Sequence, residues 1–358
     1  MKSSNAIAHV RQLCTLGLGG TAVMPALLKA VRRLVPCDSA AFFWADDNGD
    51  WVNLYAERML PPALMKRYFE RYYEAGDRTF RQRMLDCTAR RKSVAQDVDV
   101  DAASPYYREI LKPLGASAVV QLLVQDNGRP LGQMSLYRSD RAAAFTGAEK
   151  AALEGIAHYV ARCLDAAGGA ERPKTVDDYR DSDEGALVVC TKAGETISGS
   201  QRAHALLAHA SGEPINRQTL LDAVELKGRD LLRRLAGGLE TRAPLYETSP
   251  ALRVDNAWGR FRLNAYALGE SDVGVLIQRQ EHLLVRLVDA MRSLPLSAQQ
   301  REVALHLAQG RTNGEIAERL GVALNTSTYH VKQLFQKLDA HDRTDAIARI
   351  LGGHTERH

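Results

Sequence analysis

The chain has 358 residues, which predicts two or three domains because a domain usually holds about 100 to 200 residues. Hydrophobic residues make up 45% of the sequence and charged residues 25%, which excludes a wholly disordered chain, a collagen and a coiled-coil rod. The net charge of +4 is small, so the position of the charges says more about partners than their sum.

The sequence shows neither a membrane span nor a catalytic motif. No run approaches the roughly 18 to 20 apolar residues that a span needs, and His9, Arg11 and Gln12 interrupt the stretch where a signal peptide is apolar. The five cysteines are scattered and none forms C-x-x-C, which favours buried thiols over disulfides or zinc. With no G-x-S-x-G, Walker motif or carboxylate-histidine cluster, we expect a cytoplasmic protein that is no enzyme and has no cofactor or metal.

The first predicted module covers residues 4–167 and combines helices with two β-hairpins. Each hairpin is predicted because an Asp-Asn-Gly sequence, at 47–49 and at 126–128, separates two β-rich runs. A capping box at Thr146 and Glu149 begins a helix that runs to about Asp165. The predicted strands are 39–45, 51–57, 117–125 and 131–137, and the other helices are an amphipathic stretch up to residue 34, then 62–75 and 104–114. This order is typical of an α+β sensor module with an antiparallel sheet backed by helices.

A linker and a second, smaller module follow. Residues 168–184 lack hydrophobic periodicity and are predicted to be the linker. Within the second module, residues 185–280, the predicted elements are a strand at 186–191, helices at 200–210 and 229–239, and long antiparallel strands over 253–268 and 273–278, around Asn256 and Gly269. Apolar residues then repeat at helical spacing and predict a connecting helix within 281–294; they are Leu283, Leu284, Leu287, Val288 and Met291. This apolar edge either joins two subunits or packs on its own domain.

The last predicted domain, residues 295–352, contains three successive helix starts. Capping boxes begin two helices, one at Ser297 and one at Thr312, and Gly310 and Gly321 follow their ends. Asn325 and Thr326 offer a cap for a third helix. Two helices joined by a tight turn that contains glycine predict a helix-turn-helix.

The second helix of this motif has one apolar and one polar face. Val331, Leu334 and Leu338 recur at the spacing of a buried face. From residue 323 to 338 the charged side chains are Lys332 and Lys337, so the stretch carries +2 and no acid. Hydroxyls, amides and lysines without an acid suit a major groove lined by phosphates and base edges. The predicted DNA-binding residues are Asn325, Thr326, Thr328, Tyr329, Lys332, Gln336 and Lys337.

Residues 294–351 resemble the LuxR/FixJ-type DNA-binding domain of transcription regulators. The resemblance lies in Leu296-Ser-Ala-Gln-Gln-Arg-Glu-Val303, Asn313-Gly-Glu-Ile-Ala-Glu-Arg-Leu-Gly-Val322 and Thr326-Ser-Thr-Tyr-His-Val331. It implies four helices, and it places Thr328, Tyr329 and Lys332 on bases, Thr326 and Lys337 on phosphates, and 344–351 in a dimer contact. Two positions depart from the family. Ser327 replaces a valine, which implies weaker packing, and Leu324 replaces a small residue or proline in the turn.

The upstream modules have resemblances of their own. Pro113-Leu-Gly115, Pro130-Leu-Gly-Gln-Met-Ser-Leu136 and Phe145-Thr-Gly-Ala-Glu149 are similar to GAF-type sensor domains, and 186–278 is similar to a PAS-type module. The segment 67–77 resembles the ligand-binding motif of quorum-sensing LuxR proteins, with Tyr68 and Asp77 at matching positions. Leu64 stands where that motif has a lactone-binding tryptophan and Arg78 where it has proline, which argues against an acyl-homoserine lactone. The candidate ligand-binding residues are Tyr68, Tyr72, Tyr73 and Asp77.

Together these patterns predict a multidomain α+β protein. It would comprise a GAF-like α/β sensor module, a PAS-like α+β module and an all-α four-helix LuxR-type helix-turn-helix domain. The expected function is that of a homodimeric transcription regulator that binds double-stranded DNA and senses a small organic ligand, with RNA polymerase as a further candidate partner. Two alternatives stay open: a ligand-independent regulator whose N-terminal modules only dimerise, and a sensor-type interaction module whose C-terminal tail binds protein instead of DNA.

Overall fold

The chain forms two compact units in a computed structural model that describes residues 2–140, 144–165, 179–219, 223–240 and 250–352. The first unit comprises residues 1–172 and 181–280, and the second comprises 173–180 and 281–358. Within the described ranges, no helix has both the length and the apolar composition that crossing a membrane requires.

The first unit begins with an antiparallel sheet whose strands lie in the order β2-β1-β5-β4-β3. The strands are β1 (Ser39–Ala45), β2 (Trp51–Ala56), β3 (Val94–Val98), β4 (Ala118–Asp126) and β5 (Arg129–Arg138). The helices around it are α1 (Lys2–Cys14), α2 (Gly20–Leu34), α3 (Pro62–Arg71), α4 (Tyr73–Ala89) and α5 (Gly147–Asp165). Helices α4 and α5 both pack against β4, and successive residues in the middle of β4 are buried, whichever face of the sheet they lie on. This sheet is therefore covered on both faces.

Both predicted hairpins of this module are confirmed. β1 pairs with β2, and β4 pairs with β5 across a turn in which Asn127 and Gly128 have φ angles of 50° and 85°. Positive φ at both central residues is what an Asn-Gly turn supplies. The capping box of Thr146 is confirmed too, because the Glu149 amide donates to its hydroxyl at 3.2 Å.

Four predictions for this module need correction. The helical stretch predicted up to residue 34 is divided by residues 15–19 into α1 and α2. The helix predicted over 62–75 is interrupted at Tyr72, whose φ and ψ of −122° and −18° separate α3 from α4. The helix predicted over 104–114 contains a five-residue π-helix, Tyr107–Leu111. Edge strand β3 was not predicted, because its sequence, Val-Ala-Gln-Asp-Val, is short and polar at its centre.

The second part of this unit is another antiparallel sheet, in the order β7-β6-β10-β9-β8. Its strands are β6 (Tyr179–Thr191), β7 (Thr196–Gly199), β8 (Ala251–Asn256), β9 (Gly259–Leu268) and β10 (Asp272–His282). Its helices are α6 (Gln201–Ser211), the single turn α7 (Arg217–Thr219) and α8 (Glu225–Glu240). Numbered within each sheet, the strands of both sheets follow the same order, 2-1-5-4-3. The two modules therefore repeat one strand topology.

The linker predicted over 168–184 is wrong in its C-terminal part, since β6 already begins at Tyr179. The start of this strand has a polar sequence, which is why it was predicted to be a linker. Its polar residues Ser182 and Glu184 are nevertheless buried, because they bond to residues of β10. The Ser182 hydroxyl donates to the Arg279 carbonyl at 2.7 Å, and Arg279 Nε donates to Glu184 at 2.6 Å. Residues 168–178, the N-terminal part of the predicted linker, lie outside the described residues.

The second unit is helical and contains α9 (Leu283–Ala290), α10 (Ala298–Ala308), α11 (Asn313–Leu320), α12 (Leu324–Leu338) and α13 (Arg343–Gly352). The predicted connecting helix is confirmed as α9, which continues into a short 3-10 turn, Met291–Ser293. Leu284, Leu287 and Val288 are buried, and α9 packs against α10 and α13. Its apolar edge thus packs on its own domain.

Candidate nucleic-acid interface

Two capping boxes fix where α10 and α11 begin, as the sequence predicts. The Gln300 amide donates to the Ser297 hydroxyl at 3.2 Å while Gln300 Oε1 accepts from the Ser297 amide at 2.9 Å. Around α11, the Thr312 amide donates to Glu315 Oε2 at 2.7 Å and the Glu315 amide donates to the Thr312 hydroxyl at 3.3 Å. These bonds from the Thr312 backbone and hydroxyl hold the pKa of Glu315 below its usual range. Local sequence alone therefore positions these two helices.

The turn between α11 and α12 differs from the prediction at one point. Gly321 ends α11 in the left-handed region, with φ of 65°. Helix α12 then begins at Leu324, after Ala323, whose side chain makes no capping bond. Asn325 and Thr326 were predicted to cap this helix, but they lie in its first turn. Their side chains are exposed instead of being used for capping.

The buried face of α12 includes a hydroxyl. Ser327, Val331 and Leu334 are buried, with Ser327 0% exposed, and Leu338 is half-buried. The Ser327 hydroxyl donates to the Asn313 carbonyl at 3.0 Å. This bond connects α12 to the start of α11 and satisfies a polar group that would otherwise be costly to bury. The serine that replaces the family's valine thus supplies a contact between the two helices.

The opposite face of α12 is exposed and carries the predicted base-reading side chains. Asn325, Tyr329, Lys332 and Gln336 are exposed and recur four, three and four residues apart, so they lie on one face of the helix. The Tyr329 side chain is 58% exposed. Thr328 is half-buried beside this face. No acidic residue lies in α12, so the face combines hydroxyl, amide and ammonium groups.

The two predicted phosphate contacts flank this face. Thr326 and Lys337 are both exposed. Lys337 Nζ donates to Gln300 Oε1 at 3.4 Å, which holds the lysine near the start of α10. Leu324, which departs from the family pattern, was not among the predicted DNA-binding residues and is 56% exposed at the start of α12.

The candidate ligand-binding residues are divided by the structure. Tyr68 lines an apolar cavity of about 120 Å³ between the first sheet, α3 and the π-helix. Tyr72 does not line this cavity, and its ring lies 5.4 Å from that of Tyr106. Tyr73 and Asp77 belong to α4, but their side chains lie outside the described residues. The cavity wall also includes Phe43, Trp51, Met65 and Tyr137.

The cysteines are free thiols. Four of the five are buried, and Cys37 is half-buried. Burial raises the pKa of the Cys37 thiol to about 12, so the reactive thiolate is scarce at neutral pH. In the described part of the chain, no three His, Cys, Asp or Glu side chains are grouped so that they hold a metal ion.

Comparison with known proteins identifies the C-terminal domain. Residues 294–350 match the family described as bacterial regulatory proteins, luxR family. This segment is therefore a LuxR-type helix-turn-helix domain. A 53-residue stretch is 45% identical to the probable transcriptional regulatory protein SgaR of Hyphomicrobium methylovorum. That alignment covers 15% of this chain and 25% of SgaR, so the chain matches a quarter of that relative's length.

Two solved structures show only distant likeness. The VqmA dimer of Vibrio cholerae, a LuxR-type receptor studied in the absence of target DNA, is 13% identical over 50% of this chain and 83% of its own, with a TM-score of 0.17. An extracellular ligand binding receptor from Desulfohalobium retbaense is 10% identical over 78% of this chain and 37% of its own, with a TM-score of 0.19. These TM-scores are too low to relate the overall folds.

Proposed function

We propose that this chain is a sequence-specific DNA-binding transcription regulator. The observation that carries the proposal is the exposed, acid-free face of α12 within a LuxR-type domain. The SgaR segment, which is 45% identical, belongs to a probable transcriptional regulatory protein and supports the same role.

Helix α12 is the proposed reading element. Its 15 residues span about 22 Å, and a helix fits the major groove, which is about 12 Å wide. Asn325 and Gln336 carry amides suited to adenine, and Lys332 carries a donor suited to guanine. Thr328 and Tyr329 add hydroxyl contacts, and Thr326 and Lys337 meet phosphates at the flanks. Phosphate contacts set the position of the helix, and base contacts set the sequence.

The regulator is proposed to act as a homodimer on two half-sites. One small domain makes few phosphate contacts, so useful affinity requires two copies. The family resemblance points to α13, where Thr344 and Ala348 are exposed. A second surface also supports association of two copies: the second sheet exposes Leu187, Tyr266 and Leu268, and exposed apolar patches mark contact surfaces.

The N-terminal modules, 4–167 and 185–280 with 168–184 between them, are proposed to be GAF-like and PAS-like sensors. The repeated 2-1-5-4-3 strand order and the cavity beside Tyr68 support this. The cavity, at about 120 Å³, is smaller than an apolar cavity of about 150 Å³ that binds benzene, so it limits an aromatic ligand to about the size of benzene. The dimer would have two arrangements, of which one matches the spacing of the DNA half-sites. A ligand would change DNA binding only if it binds one arrangement more tightly than the other. RNA polymerase remains a proposed partner.

The test is selection of genomic DNA fragments by the purified full chain at about 50 to 200 mM salt, a range over which the affinity due to phosphate contacts falls steeply. We expect enrichment of a short sequence with dyad symmetry. Lys332→Ala should weaken binding to that sequence by about 1 to 3 kcal/mol, whereas Lys337→Ala should weaken all duplexes alike and lower the salt slope by about one unit. Enrichment of no sequence, with both variants equal to wild type, would contradict the proposal and favour a protein-binding tail.

A further inference from the structure

The second sheet has one covered face and one open face. On β9, Phe261, Leu263 and Ala265 are buried, and α8 packs against this strand. Arg262 and Tyr266 of the same strand are exposed and lie on the other side, because successive side chains of a strand alternate between the two faces. The exposed side of β9 therefore belongs to the face of the sheet that α8 does not cover.

An apolar patch lies on this open face. It comprises Leu187, Tyr266, Leu268 and Leu276, which are 50%, 43%, 44% and 36% exposed. Gly274 lies at its centre, because it pairs directly with Tyr266. A Cβ on Gly274 would lie 3.0 Å from Leu268 Cδ1 and 3.6 Å from Leu187 Cδ1. Leu276 lies on the same side of β10, two residues further on. The four side chains form one patch across β6, β10 and β9, which we call the open-face patch.

The charged side chains beside the open-face patch carry both signs and pair with each other. Arg262 lies 3.6 Å from Asp181, and Arg260 lies 2.7 Å from Asp255. A face whose cations and anions are already paired does not attract a nucleic acid or an acidic peptide by its charge. An identical face can meet it without like-charge repulsion. The charge pattern therefore favours a second copy of this chain as the partner.

The size of the open face fits an interface between two proteins. Strands β6, β9 and β10 contain 13, 10 and 11 residues, and β7 and β8 contain 4 and 6. With a rise of about 3.3 Å per residue and a strand spacing of about 4.8 Å, these strands present roughly 700 Å². Two such faces would bury roughly 1,400 Å² in total, within the range of about 1,200 to 2,000 Å² of stable complexes.

We propose that two copies of this chain pack their second sheets face to face through the open-face patch. The contact is two-fold symmetric, so each of its side chains is used twice. It forms without DNA. Its role rests on the proposed DNA-binding dimer: β10 ends at His282 and α9 begins at Leu283, so the contact joins the strands that lead directly into the DNA-binding unit.

The first experiment is analytical ultracentrifugation of the full chain without DNA, from about 0.1 to 50 μM, which covers micromolar interfaces. We expect a dimer whose dissociation constant lies within or below this range. Leu187→Glu combined with Leu268→Glu should raise that constant at least about 100-fold, because each carboxylate enters an apolar contact twice. A wild-type chain that is monomeric throughout, or a double variant that dimerises as tightly as wild type, would overturn the proposal.

A matched control makes the same change elsewhere. Leu85→Glu combined with Leu226→Glu alters two exposed leucines outside this face, on α4 and α8, and should leave the dissociation constant unchanged. Equal losses in both double variants would mean nonspecific association and would overturn the contact. Circular dichroism shows whether each variant is folded. If the first double variant is unfolded, Leu268→Gln alone takes its place and should raise the dissociation constant at least about fivefold.

A further variant separates this contact from α13. Ala348→Glu changes an exposed residue of α13 and should leave the dimer intact in the absence of DNA. Dissociation by Ala348→Glu, but not by Leu187→Glu with Leu268→Glu, would place the interface in α13 and overturn the proposal. A dimer that enriches no DNA sequence contradicts DNA binding alone, whereas a monomer that enriches one contradicts the sheet contact alone.

Discussion

The two sheets share a strand order but differ in what they bury. In the first sheet, β4 and β5 are buried along most of their lengths, with Leu122 and Met134 at 0% exposure. In the second sheet, β8 and part of β9 alternate between covered and exposed residues, and the core includes Glu184 bonded to Arg279. One topology thus supports an apolar core in one module and, in the other, a core that also contains a buried ion pair.

This difference has consequences for binding and stability. An apolar core tolerates few polar groups, so its cavity suits an apolar ligand. A core with a buried ion pair depends on each charge keeping its partner. The strand order fixes which strands are neighbours, whereas the side chains on those strands decide the chemistry of each module.

The largest expected effect comes from breaking the ion pair of the second sheet. Arg279→Met should lower the free energy of unfolding by about 3 to 5 kcal/mol, because it leaves the Glu184 charge buried without its main partner. Urea unfolding followed by tryptophan fluorescence measures this. Arg262→Met is the matched control, since Arg262 is half-exposed on β9 and its bond to Asp181 is a surface pair worth less than about 1 kcal/mol.

The double variant Glu184→Leu with Arg279→Met should recover most of the lost stability, because no buried charge then remains. A single variant as mild as the Arg262 control would show that the second core does not depend on its charges. The comparison between the two sheets would then lose its energetic basis.

The next largest effect is expected from replacing a glycine by alanine on the fifth strand of each sheet. Gly132 on β5 has φ of 151°, and a Cβ there would lie 2.2 Å from the Phe43 carbonyl oxygen. Gly132→Ala should cost about 3 kcal/mol or more, because the clash is with backbone. A Cβ on Gly274 of β10 would meet the exposed Leu268 side chain at 3.0 Å, which is free to turn away. Gly274→Ala should therefore cost less than about 1 kcal/mol, and equal unfolding midpoints would refute the contrast.

Ligand addition should detect the apolar cavity of the first module. Benzene at about 100 times its dissociation constant should stabilise the full chain by about 2.7 kcal/mol, seen as a higher Tm. Ala41→Leu places a larger side chain in the cavity wall and should remove this effect. If neither benzene nor other aromatics of its size shift the Tm, the result favours the ligand-independent alternative, in which the N-terminal modules only dimerise.

The smallest effect is a pH dependence that belongs to the second module. The folded-state pKa of His209 is about 3 because of burial, so between that value and its usual value near 6.5 the unfolded chain binds the extra proton. Stability is therefore present above about pH 6.5 and is lost as the pH falls. At pH 5 His209 should cost about 2 kcal/mol. His209→Phe should reduce the loss of urea-unfolding stability between pH 7 and pH 5 by about 2 kcal/mol. An unchanged loss would show that His209 is not the group responsible.

The pKa of Glu184 is lowered to about 2 because Arg279 and Lys29 attract its charge more strongly than burial opposes it. This contribution is present above about pH 4.5 and is lost as the pH falls towards 2. Both groups therefore destabilise the fold in acid, but in different ranges. Measurements above pH 5 exclude Glu184, and comparison with His209→Phe separates His209 from His204 and His306, whose pKa values are also lowered by burial.

The helix-turn-helix domain was largely predictable from sequence because its signals are local. The hydrogen bonds of the helix ends join residues no more than four apart in the chain. This holds for the capping boxes at Ser297 and Thr312 and for the left-handed Gly321. The Asp-Asn-Gly turns act over the same range and set two hairpins of the first sheet. The exposed face of α12 followed from the spacing of Val331 and Leu334.

Other features were decided by residues that are distant in the chain. The start of β6 was not predicted because Arg279, the partner of Glu184, is 95 residues away in the chain. An acidic stretch with no partner nearby in the sequence indicates a linker. The bond of Ser327 to Asn313 joins residues 14 apart, so a comparison with the family's valine at this position indicated poorer packing than the structure has. The sequence by itself determined where helices begin and hairpins turn, because those hydrogen bonds close within one turn. Only the tertiary structure decided which polar side chains are buried, since their partners come from other strands and helices.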